Sequence, residues 1–481
     1  ALEIPFRCVA LPHSWIGWLA RRARRDQSLS DFYLGGRALG FFVLFLTLYA
    51  TQYSGNTMLG GVGKSYRGGF VFLSAVGAMM AIVGGYLIFA PELHRRSRAR
   101  RYITTSDFLF DRFRSRPLAV FGALLGIFAL GNYILTNLKV LGILAEEITG
   151  GAMSFEVGVV ALAVVMVVYE SMGGMRSVAW TDVLQGLILL VGIGSIFAVV
   201  MATYGGFVGV DEALEVTRGA EFWTAPDGEA KFGWLSTMLL FFVGISMYPH
   251  AIQRIYAARS ESALRRSFQV MVFMPLFTTL LMVLLGVMAI AIAPGLGRAE
   301  SDRAILHVLG ALVEQAPAMR ILVVLFVGAV LAATMSTIDS ALLAVSAMFA
   351  NDLVRPLRPQ MDEASLTRIG KVTSVLLMAL VVYLTILLKD ATIFAILEIK
   401  LEVLCQLAPA VMLGVHWRTL RGRAVLAGMV VGTVVAIAVG MGITGLPTRP
   451  LGVHAGLWGL LANLAVLVGA QQLTPGPAPA A

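Results

Sequence analysis

Residues Ala333-Thr334-Met335-Ser336-Thr337-Ile338-Asp339-Ser340 place four hydroxyl groups and one carboxylate inside the apolar segment from Ile321 to Phe349. That segment is long enough to cross a bilayer, because a spanning helix needs about 20 mostly apolar residues. Ionisable groups are costly in such a helix, so they usually face a cavity and mark the path of an ion or a solute. The stretch therefore predicts a membrane helix that lines a functional site.

The composition is that of a polytopic membrane protein. Of the 481 residues, 58% are hydrophobic and 14% are charged, and the mean hydropathy is +0.83. Soluble domains have about 45–50% apolar and about 25% charged residues. The net charge of +9 arises from basic residues clustered between apolar segments, as in cytoplasmic loops, so no nucleic-acid partner is expected. Cys8 and Cys405 form no metal-binding or disulfide pattern, and we expect no organic cofactor.

Twelve segments are long and apolar enough to span a membrane, which predicts an all-α polytopic fold with about 12–13 transmembrane helices. They are 39–62, 68–93, 117–145, 152–171, 177–203, 232–256, 267–295, 319–350, 366–388, 391–416, 423–444 and 450–472. Segment 4–20 is a weaker thirteenth candidate, for which a cleaved signal peptide is the alternative. Basic residues concentrate in one set of alternate loops, which predicts a cytoplasmic C-terminus.

Two of the predicted spans are interrupted. The first breaks at Ser54-Gly55-Asn56-Thr57, and the sixth breaks at Gly244-Ile245-Ser246-Met247-Tyr248-Pro249-His250. The carbonyls freed at such breaks must be buried or line a wet cavity. The breaks lie five spans apart, so the helices that carry them run in opposite directions. This pairing indicates an inverted-repeat transporter with a site near the middle of the membrane, and ordinary kinking of each helix is the alternative.

These features divide the chain into a series of predicted units. They are an N-terminal segment with a basic cytoplasmic loop (1–38), a first repeat (39–203), an external loop (204–231), a second repeat (232–416), two C-terminal helices (417–473) and a disordered tail (474–481).

The polar run favours sodium binding. Na⁺ is a small hard cation that takes oxygen ligands, which unwound carbonyls and helix hydroxyls supply. If the helix loosens slightly, the carbonyl of Ala333 and the hydroxyls of Ser336 and Thr337 converge on one point, and the carbonyls of Gly55 and Met58 complete the shell. The alternative is that each hydroxyl bonds back to the carbonyl four residues earlier, on a helix-packing face of small residues.

A second ion station is predicted beside the first. Asp339 and Ser340 follow Ser336 by three and four residues, on the same helix face. Asp182 begins the fifth span and is interpreted either as a solvated interfacial carboxylate or as part of an ion exit path.

Four motifs together resemble the sodium/solute symporter family. They are Asp31-Phe32-Tyr33-Leu34-Gly35-Gly36-Arg37, Gly173-Gly174 followed by Val178-Ala179-Trp180-Thr181-Asp182-Val183-Leu184-Gln185, Pro249-His250-Ala251-Ile252-Gln253-Arg254, and Leu331 to Ser340. The resemblance implies a LeuT-like fold of five plus five inverted helices in a bacterial inner membrane. It also implies that Na⁺ is the coupling ion and is held by Gly55, Met58, Ala333, Ser336 and Thr337. Some members of the family hold a second Na⁺ toward the cytoplasm, and the corresponding residues here, which form the predicted second station, are Asp182, Ser336, Asp339 and Ser340. Gly55 stands where the family often has alanine.

The predicted substrate residues lie near the two breaks and on the tenth span. Gln52, Asn56 and Thr57 come from the first break, Tyr248 and His250 come from the second, and Gln406 and Glu402 come from the tenth span. Lys139, in the third span, is interpreted as a partner of the substrate or of an acidic neighbour such as Glu146, or as a snorkelling cation. We expect the substrate to be a small carboxylate or an amino acid.

Sodium-driven import of a small solute by alternating access is the function that these features predict. A substrate-sensing membrane module is one alternative, which is disfavoured because the chain ends shortly after its last predicted span. A proton-coupled transporter is another, since Asp182, Asp339 and His250 are titratable. An enzyme is not expected, because no nucleophile or metal constellation appears. The expected partners are a small molecule and the lipid bilayer, and no oligomeric state follows from the sequence.

Overall fold

Helices make up nearly all of the described chain. The computed structural model describes residues 28–208, 228–443, 445 and 447–473. Within these ranges extended segments pair only once, in an isolated bridge between Leu39 and Ala258. Segment 4–20, the tail 474–481 and residues 209–227 of the predicted external loop lie outside the described residues.

The α-helices of the described residues are numbered in chain order. In order they are α1 (Leu29–Leu34), α2 (Phe41–Gln52), α3 (Val62–Gly68), α4 (Ser74–Arg100), α5 (Thr105–Phe113), α6 (Arg116–Ile148), α7 (Phe155–Thr203), α8 (Gly228–Gly244), α9 (Pro249–Ala257), α10 (Glu261–Met271), α11 (Met274–Ile292), α12 (Ala304–Gln315), α13 (Arg320–Met348), α14 (Glu363–Leu387), α15 (Ile393–Leu404), α16 (Gly414–His416), α17 (Gly422–Gly440) and α18 (Ala455–Leu473). Segments of π-helix are Asn56–Gly61, Phe349–Val354 and Pro409–Leu413.

The all-α membrane architecture is confirmed. Eight helical segments of the described residues are long and apolar enough to cross a membrane, and one bent pair makes a ninth. Two shorter apolar helices, Phe41–Gln52 and Phe155–Val168, add to these. Helix starts carry the polar caps that free backbone N–H groups require: the hydroxyls of Ser115, Ser154 and Thr392 accept from the backbone at the beginnings of α6, α7 and α15.

Both predicted helix breaks are present. α2 ends at Gln52, Tyr53 is extended, and the chain resumes as a π-helix at Asn56. α8 ends at Gly244, and after one 3₁₀ turn α9 begins at Pro249 with a bend of 55°. Proline is tolerated as the first residue of α9 because its missing N–H would have no helical partner there.

A third break, at Gly174, separates the two halves of α7. Its φ of +60° belongs to the left-handed region, where glycine is favoured. A Cβ at this position would also lie 2.7 Å from the carbonyl oxygen of Phe32. The predicted spans 152–171 and 177–203 are therefore joined through a position that only glycine fills without strain, and the second half carries Asp182 into the core.

Candidate functional site

Three of the predicted sodium ligands lie together on α13, which packs against α6 and α7 in the core. The Thr337 hydroxyl donates to the Ala333 carbonyl at 2.9 Å, and the Ser336 hydroxyl donates to Asp182 Oδ1 at 2.7 Å. In this conformation Thr337 makes the hydrogen bond of the back-bonding alternative, whereas the Ser336 hydroxyl is bonded to Asp182. A bound cation would take the two oxygens that Thr337 and Ala333 now share.

The first helix break packs against α13, the helix that carries these three predicted ligands. A Cβ on Gly55 would lie 2.5 Å from Val140 Cγ1 and closer still to Thr334 Oγ1. Gly55 itself is helical and follows the extended Tyr53 by two residues, so the first break brings this part of the chain against α13, the helix that carries Ala333, Ser336 and Thr337. Met58, the other predicted ligand from this segment, is fully buried, and its backbone N–H donates to the Ser54 carbonyl.

The second predicted station is built around a buried ion pair. Arg254 Nη2 lies 2.9 Å from Asp182 Oδ2, and the two side chains are 0% and 1% exposed. The same guanidinium donates to the Ser340 hydroxyl at 2.8 Å and to the Thr47 hydroxyl at 2.9 Å, and Thr47 in turn donates to Asp182. The interpretation of Asp182 as a solvated interfacial carboxylate is wrong, because four helices enclose it.

Arg254 was not expected at this position, since it stands two residues before the end of the predicted span 232–256 and was counted with the basic residues of the loop that follows. The structure places it on α9, of which all nine residues are buried. A sequence signal did exist: Arg254 lies one turn after His250, within the motif that follows the second break, and its Nη1 donates to the His250 carbonyl at 3.0 Å.

Asp339 does not join the other residues of the second station. It is fully buried, and neither of its carboxylate oxygens has a hydrogen-bond partner among the described residues. Asp182, Ser336 and Ser340 are brought together through Arg254, whereas Asp339 lies apart from this network. In this structure the carboxyl group of Asp339 is therefore not part of the predicted second station.

A cavity of about 90 Å³ lies between the two helix breaks. Four of the predicted substrate residues line it: Gln52, Asn56, Thr57 and Tyr248. Apolar residues such as Phe241, Phe268 and Phe394 form most of the wall. A largely apolar cavity with a few placed polar groups is the usual form of a small-molecule site.

An aromatic cluster forms one wall of this cavity. The rings of Tyr133, Tyr248 and His250 lie with centroids 5.1–5.3 Å apart. His250, a predicted substrate residue, is fully buried, and its two ring nitrogens have no partner in the part of the chain that the structure describes. The ammonium of Lys400 packs over the Tyr133 ring at 3.7 Å from its centroid. Lys400 was not predicted from the sequence as a substrate residue, although its neighbours Glu402 and Gln406 on the tenth span were.

The sequence profile of the Sodium:solute symporter family matches residues 32–432. The chain belongs to this family. The osmoregulated proline transporter of Bacillus subtilis is 27% identical to it over 97% of this chain and 93% of its own length. The sodium/pantothenate symporter of Escherichia coli is 26% identical over 93% of this chain and 92% of its own length. Membership supports coupling of solute import to Na⁺.

Solved transporter structures share the fold of this symporter. A Na⁺-coupled sialic acid symporter, in a substrate-bound outward-open state, has a TM-score of 0.79 at 18% identity, with 98% of this chain and 97% of that chain covered. MhsT in complex with L-phenylalanine has a TM-score of 0.56 at 15% identity, with coverages of 90% and 99%. The predicted family and the predicted LeuT-like fold are both confirmed.

Gln406 lies away from the substrate cavity of this symporter. Its Nε2 donates to the Gly456 carbonyl at 2.9 Å, and Asn463 donates to its backbone carbonyl at 2.9 Å. It faces the close contact of α17 with α18, where a Cβ on Gly459 would lie 2.9 Å from its Nε2. The substrate role predicted for Gln406 is corrected accordingly: its polar atoms serve helix packing.

The charged groups of Lys139 and Glu402 likewise contact other groups of the protein. The Lys139 ammonium donates to the carbonyls of Lys389, at 2.6 Å, and Ala391, in the loop before α15. Glu146, its suggested partner, pairs with Arg303 instead. Glu402 Oε1 lies 3.5 Å from His454 Nδ1, next to α18.

Substitution of Gly55 by alanine is expected to push the unwound segment away from α13. The new methyl group must displace Val140 and Thr334, and overpacking of this kind costs about 1–3 kcal/mol. We expect a lower unfolding temperature and a weaker stabilisation by NaCl relative to KCl at equal ionic strength, both measured by thermal unfolding.

Gly328→Ala is the matched control for this change. Gly328 lies on α13, and a Cβ there would meet no atom within 4 Å. This variant should retain the sodium response and gain up to about 1 kcal/mol of stability from helix propensity. Equal sodium responses in Gly55→Ala and the parent would contradict a close approach of Gly55 to the ion site.

Proposed function

We propose that this protein imports a small organic carboxylate or an amino acid together with Na⁺ by alternating access. The ion is held by the carbonyls of Gly55, Met58 and Ala333 and by the hydroxyls of Ser336 and Thr337. The observation that carries this proposal is the close approach of Gly55, at the first helix break, to Thr334 on α13, the helix that carries Ala333, Ser336 and Thr337. No organic cofactor takes part.

The substrate class is supported by the form of the cavity and by the relatives. The walls of the cavity are mostly apolar, and the first helix break contributes polar groups, among them Gln52, Asn56 and Thr57. Several relatives and one structural neighbour are named for proline, pantothenate and sialic acid, each of which carries a carboxylate, whereas another relative is named for the neutral sugar glucose. An engineered cavity of about 150 Å³ holds benzene, so the 90 Å³ cavity of this conformation must widen to admit a solute as large as proline.

The second ion station, reduced to Asp182, Ser336 and Ser340 because Asp339 lies apart from them, is proposed as a transient stop on the path toward the cytoplasm. An ion there competes with the guanidinium of Arg254 for Asp182 and Ser340. Like charges in one buried site repel strongly, since the local dielectric constant is low. Release through this station therefore requires Arg254 to move.

The membrane arrangement predicted from the sequence is part of this proposal. The two repeats are 39–203 and 232–416, the protein lies in the bacterial inner membrane, and the C-terminus is cytoplasmic. Bacterial relatives that match nearly the whole chain support this location. A cysteine introduced at the exposed position Ala99, in a background in which Cys8 and Cys405 are replaced by alanine, would test the assignment of the basic loops to the cytoplasm through its modification by a membrane-impermeant thiol reagent.

Uptake into proteoliposomes tests the coupling ion. Labelled L-proline, pantothenate and butyrate are offered under an inward Na⁺ gradient, an inward proton gradient, or neither. We expect accumulation of at least one solute only with the Na⁺ gradient, and its loss when a sodium ionophore is added. Equal accumulation with K⁺ in place of Na⁺ would argue against sodium coupling.

Proton coupling is the second candidate, and the buried carboxyl of Asp339 favours it. A carboxyl group without a partner in a dry core is a natural place to take up and release a proton. If protons drive uptake, Asp339→Asn should abolish accumulation under the proton gradient. If Na⁺ drives uptake, the same variant should retain accumulation under the sodium gradient.

A further inference from the structure

Lys400 is a buried cation for which the described protein provides no anion. Its side chain lies on α15 and is 0% exposed. An ammonium group has three N–H donors, and in the described part of the chain its Nζ has no hydrogen-bond partner and no carboxylate within ion-pair distance. Buried charges are ordinarily paired, because their desolvation is costly.

Two other buried cations of the core, Arg254 and Lys139, are bonded to groups of the protein. Arg254 is paired with Asp182 and bonded to two hydroxyls. Lys139 donates to the carbonyls of Lys389 and Ala391. Lys400 has only the faces of two tyrosine rings, at 3.7 Å from the centroid of Tyr133 and 5.4 Å from that of Tyr248.

The position of Lys400 links this ammonium to the central cavity. Phe394 and Leu397 line the cavity from α15, and Lys400 follows Leu397 by three residues, on the same helix face. Tyr133 and Tyr248 are themselves part of the cavity wall. A lysine has a flexible four-carbon stem, so its ammonium can reach past the ring edges to a solute in the cavity.

The cavity contains no acidic side chain among its described lining residues, which are apolar, aromatic, hydroxyl or amide groups. The negative charge that the ammonium needs must therefore arrive with the solute. His250, stacked on the same two tyrosines with both ring nitrogens unpartnered, provides a further polar group beside it.

We propose that Lys400 binds the carboxylate of the transported solute and thereby selects carboxylates over neutral molecules of the same shape. This inference rests on the proposed transport function and adds the residue that recognises the charge. A charge-assisted hydrogen bond from an ammonium to a carboxylate is shorter and stronger than a neutral one. In a cavity with apolar walls this bond is little screened by water, so it dominates the choice of solute.

The test compares acids with their isosteric amides. The full chain, in lipid nanodiscs with NaCl, is titrated with butyrate and butyramide and with L-proline and L-prolinamide, and binding is read by calorimetry. The parent should bind at least one acid and discriminate against its amide. Lys400→Met should lose at least about 30-fold in affinity for that acid, because removing one partner of a buried charge pair costs 2 kcal/mol or more. Lys400→Arg should retain acid selectivity.

Two comparisons separate charge recognition from a structural role. Lys139→Met removes a buried ammonium away from the cavity and should keep the acid-to-amide ratio of the parent, even if its unfolding temperature falls. Lys400→Gln keeps a donor without the charge, and it should lose selectivity as Lys400→Met does, so that poor folding of one variant leaves the comparison intact.

Several outcomes overturn the proposal. The first is an affinity for the acid that is as high in both Lys400→Met and Lys400→Gln as in the parent. The second is equal binding of acids and amides by the parent. The third is that the parent binds none of the unbranched C2–C6 monocarboxylates, none of their α-amino derivatives and none of the corresponding amides. The sodium response of unfolding, measured without solute, reports on coupling separately. Acid selectivity that depends on Lys400 without any sodium response would overturn the sodium site and leave the role of Lys400 standing.

Discussion

Replacement of Arg254 by methionine is expected to lower the free energy of unfolding by about 3–5 kcal/mol, because it leaves the carboxylate of Asp182 buried without its cation. The hydroxyls of Thr47 and Ser340 also lose a donor. Reversible unfolding in mixed micelles, followed by circular dichroism, measures the change. A loss of this size is about a fifth or more of the free energy of unfolding of a typical protein.

A double-mutant cycle identifies the ion pair as the cause. Asp182→Asn in the Arg254→Met background should recover part of the loss, since no charge then remains unpaired. The control is Arg265→Met, which removes an arginine from the exposed pair with Glu261 and should cost about 0.5 kcal/mol or less. Additive effects of the two core substitutions would show that the pair does not couple.

Combined substitution of Ser336 by alanine and Thr337 by valine is expected to remove the response to sodium. Two hydroxyl ligands disappear from the proposed ion site, while the volume of Thr337 is kept. Loss of an outer partner of a metal ligand already costs about 10–100-fold in affinity, so loss of two direct ligands should cost at least that. The NaCl concentration giving half-maximal thermal stabilisation measures the effect, with KCl as the reference salt.

Thr385→Val is the matched control for this double substitution. Its hydroxyl is buried and donates to the carbonyl four residues earlier, as that of Thr337 does, but it lies on α14. It should leave the sodium response at the parental value. If the Ser336 and Thr337 double variant also responds as the parent does, the ion is bound elsewhere.

The helix breaks and the polar run were predictable because each has a local cause. Pro249 cannot continue a helix, and hydroxyls within an apolar span are rare enough to stand out. Gly174 was identified within a motif, although its positive φ and its contact with Phe32 appear only in the structure. The predicted cavity residues Gln52, Asn56 and Thr57 followed from their position at the first break.

The partners of individual side chains were less predictable, because core helices of a membrane protein are apolar on most faces. Lys400, Glu402 and Gln406 lie within seven residues on the tenth span, yet they point to different neighbours. Residues two apart on a helix do not share a face, and no polar stripe indicates which face meets the cavity. Arg254 was misassigned for a related reason, since hydropathy counts its charge but not its burial.

The location of Arg254 bears on how the transporter changes shape. Its guanidinium is carried by α9 and bonded to Thr47 on α2, Asp182 on α7 and Ser340 on α13. Any tilt of α9 must release all three partners, and water must enter to hydrate the separated charges. We therefore expect the rearrangement to be an abrupt switch between two positions, with a high activation enthalpy, rather than a gradual loosening of the helix.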